Sequence, residues 1–248
     1  MKKDFIIFLV FLLCVTNFFG QSKKDSIIVA TAAGMSIIFD EIKSDFEKKT
    51  GSKIEMVYSS SGNIREQIIN GAPYDVFISA NVSFVDVLIE KDLILSDSKN
   101  IYAKGRVILA VKKDKFVIND IFDLTKSDFK KIAIGETSTT PYGLAAKESL
   151  ESLNLWKMVE TKLIYAKDTP AVFTLLKTGN VEAAFLSLAY ANDKEINYIL
   201  IPEKYHKPIN QALGIVKRTK NEKLSREFVN FVTKNCLDIF KKYGYEVP

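Results

Sequence analysis

The chain has 248 residues, 47% of them hydrophobic and 26% charged, with 11 Gly and 6 Pro, which excludes a fibrous, low-complexity or disordered protein. Its formal charge is +5, and basic residues such as Lys48, Lys49, Lys241 and Lys242 sit beside acidic ones. That mixture reads as a solvated surface and excludes a nucleic-acid-binding stripe.

At the N-terminus, Lys2 and Lys3 precede an almost unbroken apolar run from Phe5 to Phe19. The run falls short of the roughly 20 apolar residues of a membrane span. It predicts a signal peptide over 1–22, cleaved near Gly20 or Ser22, and export to the periplasm. Cys14 raises lipidation, and an uncleaved N-terminal anchor is the other alternative. Removal of 1–22 would leave one cysteine, Cys236, and so no intramolecular disulfide.

The body alternates strands and helices. A β-branched strand is predicted over 26–32. Met35, Phe39, Ile42 and Phe46 then fall on one helical face, and Gly51 stands where a C-terminal cap would. A strand over 53–58, a short helix over 63–70, a strand over 75–80 and a helix over 82–90 follow. This order predicts a largely parallel sheet with helices on its faces. After a long apolar strand over 106–111 the rhythm restarts. Strands are predicted at 131–135, 162–165, 183–187, 197–201 and 212–216, with helices at 143–153 and 169–177. Leu224, Phe228 and Phe231 mark a C-terminal helix. Two such rounds predict two α/β lobes around a cleft: 23–104 with 210–248, and 105–209.

Four predicted strand-to-helix turns are rich in small and polar residues. They lie at 32–36, 58–63, 137–143 and 167–170. In open α/β sheets ligands bind beyond the carboxyl ends of the strands. Each helix start there carries unpaired N–H groups and a positive dipole end, a ready anion site. Ser and Thr add hydroxyl donors, although one such residue per turn is also the ordinary helix cap. The run Ser59-Ser60-Ser61 exceeds what one cap needs.

Ser60-Ser61 before a helix, then Gly71-Ala72-Pro73-Tyr74-Asp75-Val76-Phe77-Ile78-Ser79-Ala80, resembles the molybdate-binding proteins of bacterial ABC importers. So do Pro141-Tyr142-Gly143-Leu144-Ala145-Ala146-Lys147-Glu148 and the closing Phe240-Lys241-Lys242-Tyr243-Gly244-Tyr245. The resemblance extends over nearly the whole chain after Ser26. It implies the type II periplasmic-binding fold, with two lobes closing by a hinge over molybdate or tungstate. It implies an anion held by N–H and hydroxyl groups, with no cofactor, no catalysis and no direct metal coordination by side chains. The partners would be the small oxyanion and a membrane permease, for a monomer that binds no nucleic acid. By position, the ligand-binding residues would be Gly34, Ser61, Tyr142 and Thr169, with Ser60, Ser187 and Tyr190 beside them. Gly34 stands where many members carry serine, and Ser187 where several carry tyrosine. Tyr142, Ser187 or Tyr190 would then replace the missing hydroxyls. Restoring one by Gly34→Ser should tighten binding where φ suits a side chain, and strain the turn where φ is positive.

Other chemistry is poorly supported. His206 is the sole histidine, read as a surface loop residue, which argues against a zinc site or a Ser-His-Asp triad. Residues 137–143 lack the Gly-Lys-[Ser/Thr] of a phosphate-binding loop. Glu136 and Asp168 would flank the cleft and are the candidate acids for an enzyme such as a dehydratase. Each is equally a helix-start acid favoured by the dipole. Sulfate, phosphate and ferric iron are the alternative solutes.

Overall fold

The structure, a computed structural model, describes residues 26–248. The predicted signal peptide, its cleavage site and Cys14 lie outside the described residues. Two five-stranded sheets form the frame. The first contains β1 (Ser26–Ala32), β2 (Lys53–Ser59), β3 (Val76–Ser79), β4 (Asn100–Gly105) and β10 (Ile209–Ile215), in the order β2-β1-β3-β10-β4. The second contains β5 (Val107–Lys112), β6 (Ile132–Gly135), β7 (Leu163–Ala166), β8 (Ala183–Ser187) and β9 (Ile196–Leu200), in the order β7-β6-β8-β5-β9.

The two sheets share one plan. β1, β2 and β3 run parallel, and β10 returns antiparallel between β3 and β4. Likewise β6, β7 and β8 run parallel, with β5 antiparallel between β8 and β9. The alternating rhythm predicted the parallel halves. The antiparallel strands escape it because β5 and β10 enter their sheets from the other lobe. The chain crosses between sheets twice, at Arg106 and along 201–208. The strand predicted over 106–111 is β5; β4, which precedes it and belongs to the other sheet, was not predicted.

Helices cover the faces: α1 (Ser36–Thr50), α2 (Ser61–Ile69), α3 (Val82–Glu90), α4 (Pro141–Ser152), α5 (Trp156–Val159), α6 (Thr169–Lys177), α7 (Glu222–Asn235) and α8 (Leu237–Lys242). The apolar stripe of α1 is buried through Ile38, Phe39, Ile42 and Phe46, and Gly51 ends the helix at φ 75°. Phe46 packs edge-on to Phe228 of α7, ring centroids 5.2 Å apart. In β3 every side chain is buried, which explains its unbroken run Val76-Phe77-Ile78: a central parallel strand is covered on both faces. No helix among the described residues is long and apolar enough to cross a membrane.

Candidate functional site

All four turns converge where the lobes meet. Ala32, Ala33, Gly34 and Met35 from the first turn, Ser60 and Ser61 from the second, Thr140, Pro141 and Tyr142 from the third, and Asp168 and Thr169 from the fourth line one cavity. Ala80 and Tyr245 complete its wall. The space is small, about 20 Å³ open to the centre of a water-sized sphere. That suits one compact solute rather than an extended one.

Each turn is built for the same purpose. β1 ends in a 3₁₀ turn, Ala33–Met35, before α1 starts at Ser36. β2 ends at Ser59, and Ser60 caps α2 by accepting from the Asn63 N–H. β6 leads to α4, with Pro141 at its first position. β7 leads to α6, capped by Asp168, whose Oδ1 accepts from the Ala171 N–H at 2.9 Å. The amides of Gly34, Ser61, Tyr142 and Thr169 lie in first turns, where intrahelical partners do not exist. Among the described residues none of the four donates to another protein group.

The two serines divide their work. Ser60 Oγ is the cap, whereas Ser61 Oγ accepts from the Ala80 N–H at 3.0 Å. Ser61 therefore keeps its hydroxyl proton to donate. The Thr169 side chain is also 8% exposed and faces Gly34 across the cleft. No Lys, Arg or His lines the cavity. Attraction for an anion comes from amide dipoles and hydroxyls, and these gain strength where water is excluded.

The cleft is shut. The Gly62 N–H of one lobe donates to the Thr139 carbonyl of the other at 2.9 Å. A Cβ on Gly62 would lie 2.6 Å from Thr139 Cα, so the residue at this mouth must be glycine for the lobes to meet. Gly34 does not have positive φ. A Cβ there would instead lie 3.2 Å from Thr169 Cβ. A serine at 34 would therefore sit between the lobes, and Thr169 would have to give by a few tenths of an ångström to admit it.

Ser187 and Tyr190 do not line the cavity. Ser187 stands behind the wall, its Oγ donating to Tyr142 Oη at 3.1 Å. Tyr190 packs on Phe173, ring centroids 4.7 Å apart, and burial raises its phenol, helped by Tyr245 and Asp168. The Tyr142 phenol is likewise held well above its ordinary value by burial, then by Tyr245. Its hydroxyl reaches Gly105, whose added Cβ would sit 2.2 Å from Tyr142 Oη. Glu136 lies outside the cavity wall and pairs with the Ser138 hydroxyl. His206 is also corrected: it is 8% exposed, with Nδ1 2.8 Å from the Lys207 carbonyl. Sequence reasoning missed Tyr245 and Ala80 in the wall. Neither lies in one of the four turns, and Tyr245 arrives from 103 residues downstream of Tyr142.

The chain is similar to the molybdate-binding protein ModA of Rhodobacter capsulatus, 29% identical, covering 88% of this chain and 87% of that protein. A Bacillus subtilis protein, YvgL, whose name describes an ABC transporter substrate-binding lipoprotein, is 32% identical over 91% of this chain and 88% of its own. The solved periplasmic molybdate-binding protein of Azotobacter vinelandii superposes with a TM-score of 0.85 at 28% identity, covering 90% of this chain and 99% of that one. The two-lobed, type II periplasmic-binding architecture is therefore the fold of this protein. The family model described as bacterial extracellular solute-binding protein matches residues 27–246, and the chain belongs to that family.

Proposed function

We propose that the protein captures molybdate or tungstate in the cleft and delivers it to the membrane permease of an ABC importer. One observation carries this reading: four uncommitted first-turn amides and the hydroxyls of Ser61 and Thr169 surround a small cavity that no basic residue enters. Such a set offers donors only, as a fully deprotonated tetrahedral dianion requires. The ligand-binding residues on this reading are Gly34, Ser61, Tyr142 and Thr169, the first and third through their amides, with Ser60 as the cap that orders its loop. Ser187 and Tyr190 support the wall from behind. The lobes would be 23–104 with 210–248, and 105–209, turning about the two crossings. The names of the relatives point to the same solute.

The protein acts as a binder without a resident cofactor. Catalysis has little support, because Asp168 is engaged as a helix cap and Glu136 stands outside the cavity wall. The exported, periplasmic location and the monomeric state belong to the same proposal. A second reading, a protonated oxyanion such as hydrogen phosphate, draws on Asp168, which presents a carboxylate at the wall. Calorimetry on the mature protein with molybdate, tungstate, sulfate and phosphate separates the two. Submicromolar binding of molybdate or tungstate, with phosphate far weaker, is the expected result. Phosphate binding as tight or tighter sinks the first reading.

A further inference from the structure

One cavity-lining hydroxyl lies outside the four turns. Tyr245 follows α8 on the C-terminal tail, is 4% exposed, and forms part of the wall. Its hydroxyl ends a chain of hydrogen bonds and also lies 3.3 Å from Ser187 Oγ. Ser187 Oγ donates to Tyr142 Oη at 3.1 Å, Tyr142 Oη donates to Tyr245 Oη at 3.4 Å, and Tyr245 Oη donates to Met35 Sδ at 2.8 Å. The first two hydroxyls have oxygen acceptors. The last proton rests on a thioether, a weak acceptor. Met35 lines the same cavity, so that proton already lies at its edge. Burial raises the Tyr245 phenol, which keeps the proton in place at neutral pH.

The chain of hydroxyls also spans the cleft. Ser187 and Tyr142 belong to the lobe of the second sheet, whereas Met35 and Tyr245 belong to the other. An anion oxygen is a far stronger acceptor than sulfur. A donor that turns from Met35 to such an oxygen becomes a better acceptor for Tyr142, since linked hydrogen bonds polarise one another.

We propose that Tyr245 is a direct ligand of the bound oxyanion, its hydroxyl turning from Met35 Sδ to an anion oxygen while Tyr142 and Ser187 back it from the opposite lobe. This rests on the oxyanion reading above. It assigns the tail a binding role and makes closure and ligand recognition share one hydrogen-bond chain.

Tyr245→Phe tests it, because the ring is kept and one proton removed. Ser187 and Tyr142 can still pair, so the melting temperature of the ligand-free protein should stay close to wild type. Molybdate affinity by calorimetry should fall about ten- to a hundredfold, the usual effect of losing a hydrogen bond to a charged group. Ser61→Ala is measured in parallel. If wild type binds molybdate and Ser61→Ala weakens it while Tyr245→Phe matches wild type, the Tyr245 proposal is wrong and the oxyanion reading stands. If wild type binds none of the oxyanions, both fall. A crystal structure of the wild-type complex decides independently of how the variant folds. Tyr245 Oη within about 3 Å of an anion oxygen supports the assignment, and a hydroxyl still on Met35 Sδ overturns it.

Discussion

On the proposed reading, the Ser61 side chain serves both fold and ligand. Its hydroxyl accepts from the Ala80 N–H and retains a proton for the cavity. Ser61→Ala should weaken oxyanion binding by about 1.5–3 kcal/mol, as a lost charge-assisted donor does. It should also destabilise the ligand-free protein by about 1–3 kcal/mol, because a buried amide loses its partner. Calorimetry and thermal melting read the two effects separately. The sequence pointed to Ser61 through the surplus of serines in its loop; the bond to Ala80 lies 19 residues away and leaves no local trace. Gly34 carries the opposite lesson. Its departure from serine suggested a missing donor, yet its Cβ direction leads to Thr169 at 3.2 Å. Gly34→Ser should therefore loosen closure and weaken binding, with an unstrained first turn and little change in the ligand-free melting temperature. Tighter binding in calorimetry would contradict that geometry.

At the scale of elements, the site is a set of helix starts brought to one point. Helix termini are legible because capping residues and apolar periodicity are local. Thus 26–32, 82–90, 169–177 and 183–187 were predicted with the bounds observed. β4 was missed because only one residue, Arg106, separates it from β5, and no turn signal marks a strand that simply changes sheets. The first turn of α2 supplies a test of closure. Gly62→Ala adds a methyl where Thr139 Cα would be 2.6 Å away. A helical Gly-to-Ala change favours the helix itself by about 1 kcal/mol. The ligand-free melting temperature should therefore hold or rise, while oxyanion affinity falls and small-angle scattering reports a more open molecule. Cys236, which precedes α8, gives a third check. It is buried, and its thiol is pushed up to about 12 by burial, with Asp45 adding to the rise. The folded protein should resist a thiol-specific reagent near neutral pH, and react once denatured.

Over the whole molecule, the two lobes are joined by crossings that carry an ion network. Lys104 Nζ lies 2.9 Å from Glu203 Oε1 and 2.8 Å from Glu246 Oε2, and Arg106 Nη1 lies 2.9 Å from Glu246 Oε1. Arg106 is the first crossing and Lys104 lies just before it, Glu203 lies on the second, and Glu246 on the tail that bridges back to Lys104. The Glu246 carboxyl is lowered, first by its hydrogen bond from Lys104, and the Lys104 ammonium is raised, first by Glu246. The contribution of a lowered carboxyl is present above its unfolded value of about 4.3 and is lost as pH falls through the folded value. That of a raised ammonium is present below about 10.4 and is lost as pH rises through its folded value. Stability from this network should therefore fade below about pH 4, and salt should weaken it. Thermal melts across pH should show a shallower acid loss in Glu246→Gln than in wild type. The effect is modest, because half-exposed ion pairs contribute little.

The sequence by itself determined most of the elements, the two-lobed α/β architecture and the four turns rich in small and polar residues. Each of these rests on patterns within about a dozen residues: alternation, helical stripes, caps and glycines. Only the tertiary structure decided that Ser61 rather than Ser60 keeps a free proton, and that Gly34 faces Thr169. It alone brought Tyr245 into the wall and moved Ser187 and Tyr190 behind it. Those outcomes depend on contacts between segments far apart in the chain, fixed by β5 and β10 crossing between sheets, and no local pattern encodes where two lobes meet.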